Sequence, residues 1–292
     1  MRNFATACFL SLTLPVTAAD LTPMADIHTH YNWSQAEVTS PEQAIKALKE
    51  NGVVLTVVMS TPSLDALKLR KAGGDWVLPF FSPYTTGRNR NNWYYDMTIV
   101  DQARKALETG EFFGIGEVHV ISGLGPRRDN PIVQGLIKLA EEFKVPFLIH
   151  TETSSYRFLT PICIKYPKVT FIWAHAGGIL GPADVRGLLT ACPNTYVEMS
   201  ARDPDHYGTF LTLDGRLPND WAKLMIDYAD RFMTGTDPVW NAHQVNRWYE
   251  ADIGWQHYQK FNRFHRDWIK QLPKDVQEKV RLKNALKLFG HN

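Results

Sequence analysis

Three features are scarce in this sequence of 292 residues, and each scarcity excludes a class of protein. Three cysteines allow at most one disulfide bond, so a framework of cross-links is not available to hold the fold. No stretch approaches the roughly 20 consecutive apolar residues of a membrane-spanning helix, so we expect no stable membrane association. The 32 basic and 30 acidic residues give a net charge of only +2, so we expect no nucleic acid partner.

Apolar, β-rich runs alternate with helix-like segments along the whole chain, and no linker or low-complexity tract divides it. The apolar runs cover residues 24–31, 53–60, 76–83, 112–120, 146–151, 169–175, 195–200 and 232–237. The amphipathic stretches include residues 41–51, 101–110, 132–144, 183–191 and 220–230. Eight strands alternating with helices predict an α/β protein with a (β/α)₈ TIM barrel, and an open doubly wound sheet is the alternative. Extra C-terminal helices, at about 242–252, 257–270 and 275–289, are expected on the outside of the barrel.

The N-terminus has the pattern of a secretory signal peptide. Arg2 is followed by a mostly apolar run over residues 4–16 and by small residues at 17–19. We therefore expect a signal peptide over 1–19, a single barrel domain over 20–292, and a location in the periplasm or outside the cell. An ordinary buried N-terminal segment is the alternative. Of the cysteines that remain after cleavage, Cys163 and Cys192 either form a disulfide or stay as buried thiols.

Residues of metal-binding type stand at the ends of five predicted strands. They are His28 and His30 on the first strand, Glu117 on the fourth, His150 on the fifth, His175 on the sixth and Asp237 on the eighth. Alternate residues of a strand point to the same side, so the two histidines of the first strand project together. In a barrel the carboxyl ends of all strands meet on one rim, which is where the chemistry of such folds lies.

Each of these residues has an ordinary explanation when it is taken alone. A single histidine after an apolar run is more often a hydrogen-bonded core residue, and Asp237 before Pro238 is compatible with a simple turn. Glu117 is equally compatible with a structural ion pair. The coincidence of six such residues on one rim favours a divalent-metal site. His119, two residues past Glu117, is expected to support the ligands rather than to bind the metal.

The order of these strand-end residues resembles the amidohydrolase superfamily, and the resemblance runs from residue 25 to residue 290. The turn Thr236-Asp237-Pro238 and the late segment Asn284-Ala285-Leu286-Lys287-Leu288-Phe289-Gly290 look like the branch called amidohydrolase-2. That branch contains lactone hydrolases and metal-dependent non-oxidative decarboxylases. The resemblance therefore implies a metal-dependent barrel enzyme that acts on a small molecule.

Glu117 follows a glycine and in that respect resembles TatD-like nucleases, in which a strand-four glutamate bridges two metals. The two-metal arrangement would give one ion His28, His30 and Asp237 and the other ion His150 and His175, with Glu117 shared. In the one-metal arrangement His150 joins the first site, and His175 is free to polarise the substrate. We expect one firmly held Zn²⁺, with a second ion as the alternative and with Mn²⁺ or Fe²⁺ as other candidates.

A divalent ion with such ligands and an open position lowers the pKa of water to about 7. Asp237 is then the candidate general base, and His175, where it is not a ligand, stabilises the oxyanion. This chemistry predicts hydrolysis of a small carboxylated or cyclic ester, lactone or amide. The alternative is decarboxylation with Asp237 supplying the proton. A TatD-like nuclease, for which a basic face is lacking, and a non-catalytic metal-binding barrel are less favoured.

Loops after the strands supply the candidate substrate-binding residues. Arg88 and Arg90 lie in an aromatic-rich loop after the third strand, Arg202 follows the seventh, and Trp33 follows the first. Arginine binds carboxylates through two hydrogen bonds, and an aromatic side chain covers the face of a ring. Solvated loop charges are the alternative interpretation. Proteins with this resemblance are often homodimers, but no interface is legible in the sequence.

Overall fold

A computed structural model describes residues 21–86, 89–151, 154–240 and 250–290. Eight parallel strands pair in the order in which they occur along the chain. They are β1 (Met24–His30), β2 (Val53–Met59), β3 (Val77–Phe81), β4 (Gly114–His119), β5 (Phe147–His150), β6 (Phe171–Trp173), β7 (Thr195–Glu198) and β8 (Phe232–Met233).

The chain beyond β8 returns to β1 and closes the cylinder. The backbone N–H of Ile27 donates to the carbonyl of Thr234 (3.0 Å), and the N–H of Asp237 donates to the carbonyl of His28 (2.7 Å). The hydroxyl of Thr234 also donates to the carbonyl of Ala25 (2.7 Å). These contacts confirm the predicted (β/α)₈ barrel.

Helices follow the strands and cover the outside of the barrel. They are α1 (Trp33–Ala36), α2 (Pro41–Glu50), α3 (Ala66–Gly73), α4 (Thr98–Glu108), α5 (Pro131–Phe143), α6 (Tyr156–Lys165), α7 (Pro182–Ala191), α8 (Asn219–Asp227), α9 (Tyr258–Ile269), α10 (Lys274–Glu278) and α11 (Asn284–Phe289). Local sequence determines where they begin: in α2 the side chains of Ser40 and Gln43 cap each other's backbone N–H groups, and Pro41 occupies the first turn.

The C-terminal helices differ in position from the prediction. A five-residue π-helical segment, Lys279–Lys283, joins α10 to α11. The predicted helix over 242–252 lies largely outside the described residues. The last helix is not on the outer surface but closes the amino end of the barrel, because Ala285 belongs to the interior core and Phe289 packs on Phe80 with ring centroids 6.0 Å apart. The side chain of Asn284 donates to the carbonyl of Phe232, at the start of β8 (2.8 Å).

Apolar side chains fill the barrel interior and the layer between strands and helices. Between α6 and α7, Cys163 and Cys192 form a disulfide bond with their Cα atoms 5.8 Å apart. Of the two alternatives left open for these cysteines, the structure has the disulfide. Among the described residues no helix is both long enough and apolar enough to cross a membrane. The predicted signal peptide lies outside the described residues.

Candidate metal centre

The two histidines of β1 present their Nε2 atoms to the same point. These atoms lie 3.1 Å apart. The Nδ1 atom of His28 lies 2.9 Å from the carboxylate of Glu198, which accepts a hydrogen bond and so places the ring hydrogen on Nδ1. The Nε2 lone pair of His28 is therefore available for a metal ion. His28 is buried, and His30 lines the open cavity above it.

The carboxylate of Glu117 lies between two pairs of imidazoles. Its Oε2 atom is 3.8 Å from Nε2 of His28 and 3.5 Å from Nε2 of His30. Its Oε1 atom is 3.1 Å from Nε2 of His175 and in hydrogen-bond contact with Nδ1 of His150. One carboxylate oxygen thus faces each histidine pair, as in a carboxylate that bridges two cations.

The second pair comes from the ends of β5 and β6. Nδ1 of His150, the last residue of β5, lies 3.1 Å from Nε2 of His175. His175 stands in a short turn after β6 with a positive φ of 56°, a conformation that residues other than glycine seldom adopt. Its Nδ1 atom is held by the hydroxyl of Ser200 at 2.8 Å. This backbone aims Nε2 of His175 at Glu117, and such strain is typical of functional sites.

Asp237 reaches the first pair from the loop that follows β8. Its Oδ1 atom lies 3.4 Å from Nε2 of His30 and 3.9 Å from Nε2 of His28. Asp237 also has a positive φ, of 51°. The preceding residue is anchored to β1, since the hydroxyl of Thr236 donates to the carboxylate of Asp26 at 2.7 Å. The hydrogen bonds around Thr236 and Asp26 therefore fix the carboxylate of Asp237 beside the β1 histidines.

Glu198, the last residue of β7, is a functional residue that the sequence analysis missed. Its carboxylate accepts from His28, from the backbone N–H of His175 (2.7 Å) and from the backbone N–H of Ser200 (2.7 Å). It thereby orients one member of each histidine pair. A Cβ atom at Gly235 would lie 2.9 Å from this carboxylate, so glycine is needed where the chain after β8 passes it. Glu198 ends β7 and Glu117 lies two residues before the end of β4, so a search for carboxylates near strand ends would have found both.

The electrostatics of this cluster favour positive charge at its centre. Burial lowers the pKa of His28, but the carboxylates of Glu198, Glu117 and Asp237 outweigh burial and raise that pKa to about 10. Burial raises the pKa of Glu117, yet the charges on His150, His119 and His28 hold it well below the usual value. The pKa of Glu198, raised by burial and lowered by His28, is about 2. The carboxylates stay ionised and attract cations, whether protons or metal ions.

The donor set fits a divalent metal ion. Three groups of donor atoms lie within 4.8 Å of one another: His28 with His175 and Asp237, His28 with His30 and Glu117, and Glu117 with His119 and His150. Oδ1 of Asp237 is buried and accepts no hydrogen bond from the described residues, and a cation would satisfy that buried oxygen. Imidazole nitrogen with carboxylate oxygen is the ligand chemistry of zinc and its divalent neighbours.

All six predicted ligands therefore lie in one cluster, but the four predicted substrate-binding residues do not lie together. Arg90 lines the cavity with Tyr84, His119 and Tyr207. Arg88 lies outside the described residues. The placement of Arg202 and Trp33 requires a correction, because neither is among the described residues that line this cavity.

Arg202 is a structural residue rather than a substrate ligand. Its guanidinium is buried, donates to the carbonyls of Gly178 and Leu180, and lies 5.1 Å from the ring centroid of Trp221. Burial lowers its pKa to about 10. Trp33 is 40% exposed at the start of α1. A loop position after a strand does not by itself determine which way a long side chain points, and this explains both corrections.

Several solved structures have the same fold as this chain. A probable 2-pyrone-4,6-dicarboxylic acid hydrolase from Acinetobacter baumannii, with citric acid bound, is 14% identical, with 92% of this chain and 100% of that chain aligned at a TM-score of 0.59. A TatD homologue from Escherichia coli K12 is 13% identical, with 91% and 98% of the two chains aligned at a TM-score of 0.62.

A zinc-bound amidohydrolase from Burkholderia multivorans is 11% identical, with 92% of this chain and 99% of that chain aligned at a TM-score of 0.57. No curated protein matches the chain. The family model described as Amidohydrolase, the amidohydrolase-2 type, matches residues 24–291. With its barrel and its convergent histidines and carboxylates, the chain belongs to this family of metal-dependent hydrolases.

Proposed function

We propose that this protein is a hydrolase with two divalent metal ions bridged by Glu117, acting on a small ester or lactone that carries a carboxylate. The observation that carries the proposal is the position of Glu117, with Oε2 facing His30 at 3.5 Å and Oε1 facing His175 at 3.1 Å. Two ions that share Glu117 would each have one histidine pair and one carboxylate oxygen as ligands, the donor set of a bridged two-metal site. The sequence had favoured one firmly held ion, and the geometry favours its two-ion alternative.

Bound ions would supply a water molecule acidic enough to act as a nucleophile near pH 7. The chain itself supplies the base. Asp237 lines the cavity, so a carboxylate oxygen that does not hold an ion can take the proton of the attacking water. It can then return that proton to the leaving alcohol oxygen. Zinc is the proposed metal because nitrogen and oxygen ligands in this combination are typical of zinc hydrolases.

The cavity supports a small substrate with a carboxylate. Its volume is about 100 Å³. Among the described residues that line it, Arg90 is the arginine. A guanidinium binds a carboxylate through two parallel hydrogen bonds. The structural neighbour from Acinetobacter baumannii bears the name of a pyrone dicarboxylate hydrolase and holds citric acid. Both of these molecules carry carboxylates, and we extend that substrate class to this chain as part of the proposal.

Ring opening of a lactone in ¹⁸O-labelled water tests this function. The zinc-loaded protein would be given 2-pyrone-4,6-dicarboxylate and, as the matched compound, 2-pyrone without carboxylates. We expect ¹⁸O in the new carboxylate and a faster reaction of the dicarboxylate, with the preference reduced in Arg90→Met. The exposed Arg127→Met is the control. Release of CO₂ without ¹⁸O incorporation would identify a decarboxylase and contradict the hydrolase proposal.

We further propose that residues 1–19 direct export. The N-terminal pattern and the disulfide between Cys163 and Cys192 support this location, because disulfides persist in oxidising compartments. The intact mass of protein from a periplasmic fraction tests both features together. Loss of residues 1–19 and a mass two hydrogens below the dithiol form are expected. A full-length chain in the cytosol with Cys163 and Cys192 as free thiols would contradict the proposal.

A further inference from the structure

A tyrosine and a histidine outside the proposed ligand set form a pair on the cavity wall. His119 ends β4, lines the cavity and keeps 21% of its side chain exposed there. The buried Tyr84 follows β3 and packs edge-to-face on Trp93, with ring centroids 6.2 Å apart. Packing therefore fixes the phenol of Tyr84, whereas the side chain of His119 is accessible from the cavity.

Hydrogen bonds between the two residues indicate which ring nitrogen of His119 carries the hydrogen. The hydroxyl oxygen of Tyr84 accepts from the backbone N–H of His119 at 3.1 Å, and the same hydroxyl is in hydrogen-bond contact with Nδ1 of His119. If the hydroxyl donates to Nδ1, the ring hydrogen lies on Nε2. That assignment uses the hydroxyl as one donor and one acceptor.

The position of Nε2 supports the same tautomer. Nε2 of His119 lies 3.8 Å from Oε2 of Glu117. An N–H group near a carboxylate is attracted to it, whereas a lone pair in that place would face the negative charge. A separation of 3.8 Å is too long for a hydrogen bond, so the N–H group stays available to another acceptor. An Nε2 atom that carries hydrogen has no lone pair for a metal ion. Although His119 lies close enough to Glu117 and His150 to join a metal-binding group, this tautomer makes it a donor.

We propose, on the basis of the hydrolase function above, that His119 is a catalytic residue whose Nε2–H, oriented by Tyr84, donates to the substrate oxygen on which negative charge develops. Water oxygen bonds to the acyl carbon, and the carbonyl electron pair moves to the oxygen held by His119. Asp237 takes the proton of the water. The electron pair on the oxyanion then re-forms the carbonyl, the ester C–O bond breaks, and its electron pair stays on the leaving oxygen, which receives the proton from Asp237. Tyr84 is the positioning residue of this pair.

Binding of inorganic phosphate to the zinc-loaded protein tests the proposal. Phosphate is a tetrahedral oxyanion and mimics the charge and shape of the addition intermediate. We expect His119→Phe to weaken phosphate binding roughly tenfold to hundredfold, the effect of losing a hydrogen bond to a charged oxygen. His119→Gln, which keeps an N–H donor, should recover part of the affinity. Calorimetry gives the dissociation constants, and elemental analysis of the same samples gives the zinc content.

Tyr84→Phe provides a second variant that retains the histidine. We expect an intermediate loss of phosphate affinity with unchanged zinc content. Tyr166→Phe, which removes another phenol hydroxyl from a hydrogen bond to Gln134, is the matched control and should bind phosphate normally. Wild-type affinity in His119→Phe, or no phosphate binding by the wild-type protein, would overturn the inference. A fall in zinc content in His119→Phe would show a ligand rather than a donor.

Failure of this inference differs from failure of the hydrolase proposal. If the wild-type protein incorporates ¹⁸O into its product while His119→Phe binds phosphate and reacts normally, the hydrolase proposal stands without His119. If no hydrolysis or metal binding is found in the wild-type protein, the hydrolase proposal fails first.

Discussion

The two ends of the barrel are built from the same eight strands but contain opposite kinds of residue. At the carboxyl end, donor atoms of histidines and carboxylates form groups within 4.8 Å of one another, and His175 and Asp237 adopt positive φ values. At the amino end, the apolar helix α11 closes the interior, with Phe289 against Phe80. Buried charge and backbone strain at the carboxyl end cost free energy of folding. Burial of apolar side chains at the amino end offsets that cost. We therefore expect substitutions at the carboxyl end to reduce activity and substitutions at the amino end to reduce stability.

Loss of the Asp237 carboxylate should give the largest effect. Asp237→Asn removes the proposed base, so we expect the turnover rate to fall about 10²- to 10⁴-fold. The unfolding temperature should change little, because Asp237 is not part of the apolar core. Steady-state kinetics and thermal unfolding measure the two properties, and the exposed Asp129→Asn is the control. A stability loss that accounts for the lost activity would break the distinction between the two ends.

Truncation of Phe289 should have the reverse signature. Phe289 is half-buried, so Phe289→Ala is expected to lower the free energy of unfolding by about 2–3 kcal/mol, somewhat less than for a fully buried phenylalanine. Metal content and turnover per folded molecule should remain at wild-type values. Urea denaturation gives the stability, with the exposed Lys287→Ala on the same helix as control. An equal loss of turnover would show that the amino end also shapes the site.

Asn284 provides a smaller test at the same end. Its side-chain amide donates to the carbonyls of Ala229 (2.7 Å) and Phe232 (2.8 Å). Asn284→Ala leaves these acceptors without their donor, and we expect a loss of about 1–3 kcal/mol in stability. Asn284→Asp, which keeps the shape but removes the donor, should be at least as destabilising. If either variant unfolds like the wild-type protein in urea, α11 is not anchored through Asn284.

At the carboxyl end, the charged pair of His206 and Asp203 is an exception, because it adds stability. The side chain of His206 is buried, and its Nδ1 atom lies 2.8 Å from the carboxylate of Asp203. Burial lowers its pKa, but the hydrogen bond to Asp203 and the charges of Asp203 and Asp237 together outweigh burial and raise the pKa to about 9. The folded protein therefore binds this proton more tightly than the unfolded chain does. The resulting stability is fully present below about pH 6.5 and is lost as the pH rises through 9.

His206→Asn should consequently be less stable than the wild-type protein at pH 6, with a difference that shrinks toward pH 9.5. Denaturant unfolding at several pH values measures this dependence. A difference that grows with pH would mean that His206 is neutral in the folded state.

The fold was predictable because it depends on pattern. All eight strands were located within a few residues, since each is a short apolar run between turn signals. The six candidate ligands were selected for their places near strand ends, and the structure brings them into one cluster. The bounds of helices α3 and α6 were not predicted, and Pro161 inside α6 weakens its helical signal. The position of α11 depends on which apolar surface of the barrel the other helices leave uncovered. Sequence periodicity carries no information on that surface.

Residues whose role depends on direction were harder to predict. Arg202 follows β7 as expected, but its side chain turns to the carbonyls of Gly178 and Leu180. Glu198 orients His28 and His175 from a strand end that carried no recognised motif. Tyr84 and His119 meet only in three dimensions, because β3 and β4 are neighbours. Tertiary contacts, rather than local preference, decide such side-chain positions.

The number of zinc ions bound per chain distinguishes a two-ion centre bridged by Glu117 from a one-ion centre. Elemental analysis of the purified protein should find two equivalents of zinc, falling to about one in Glu117→Gln. His150→Ala should also retain about one equivalent, because His28, His30 and Asp237 still hold the first ion. One equivalent in the wild-type protein, unchanged in Glu117→Gln and lost in His150→Ala, would contradict the account and establish the one-metal arrangement instead.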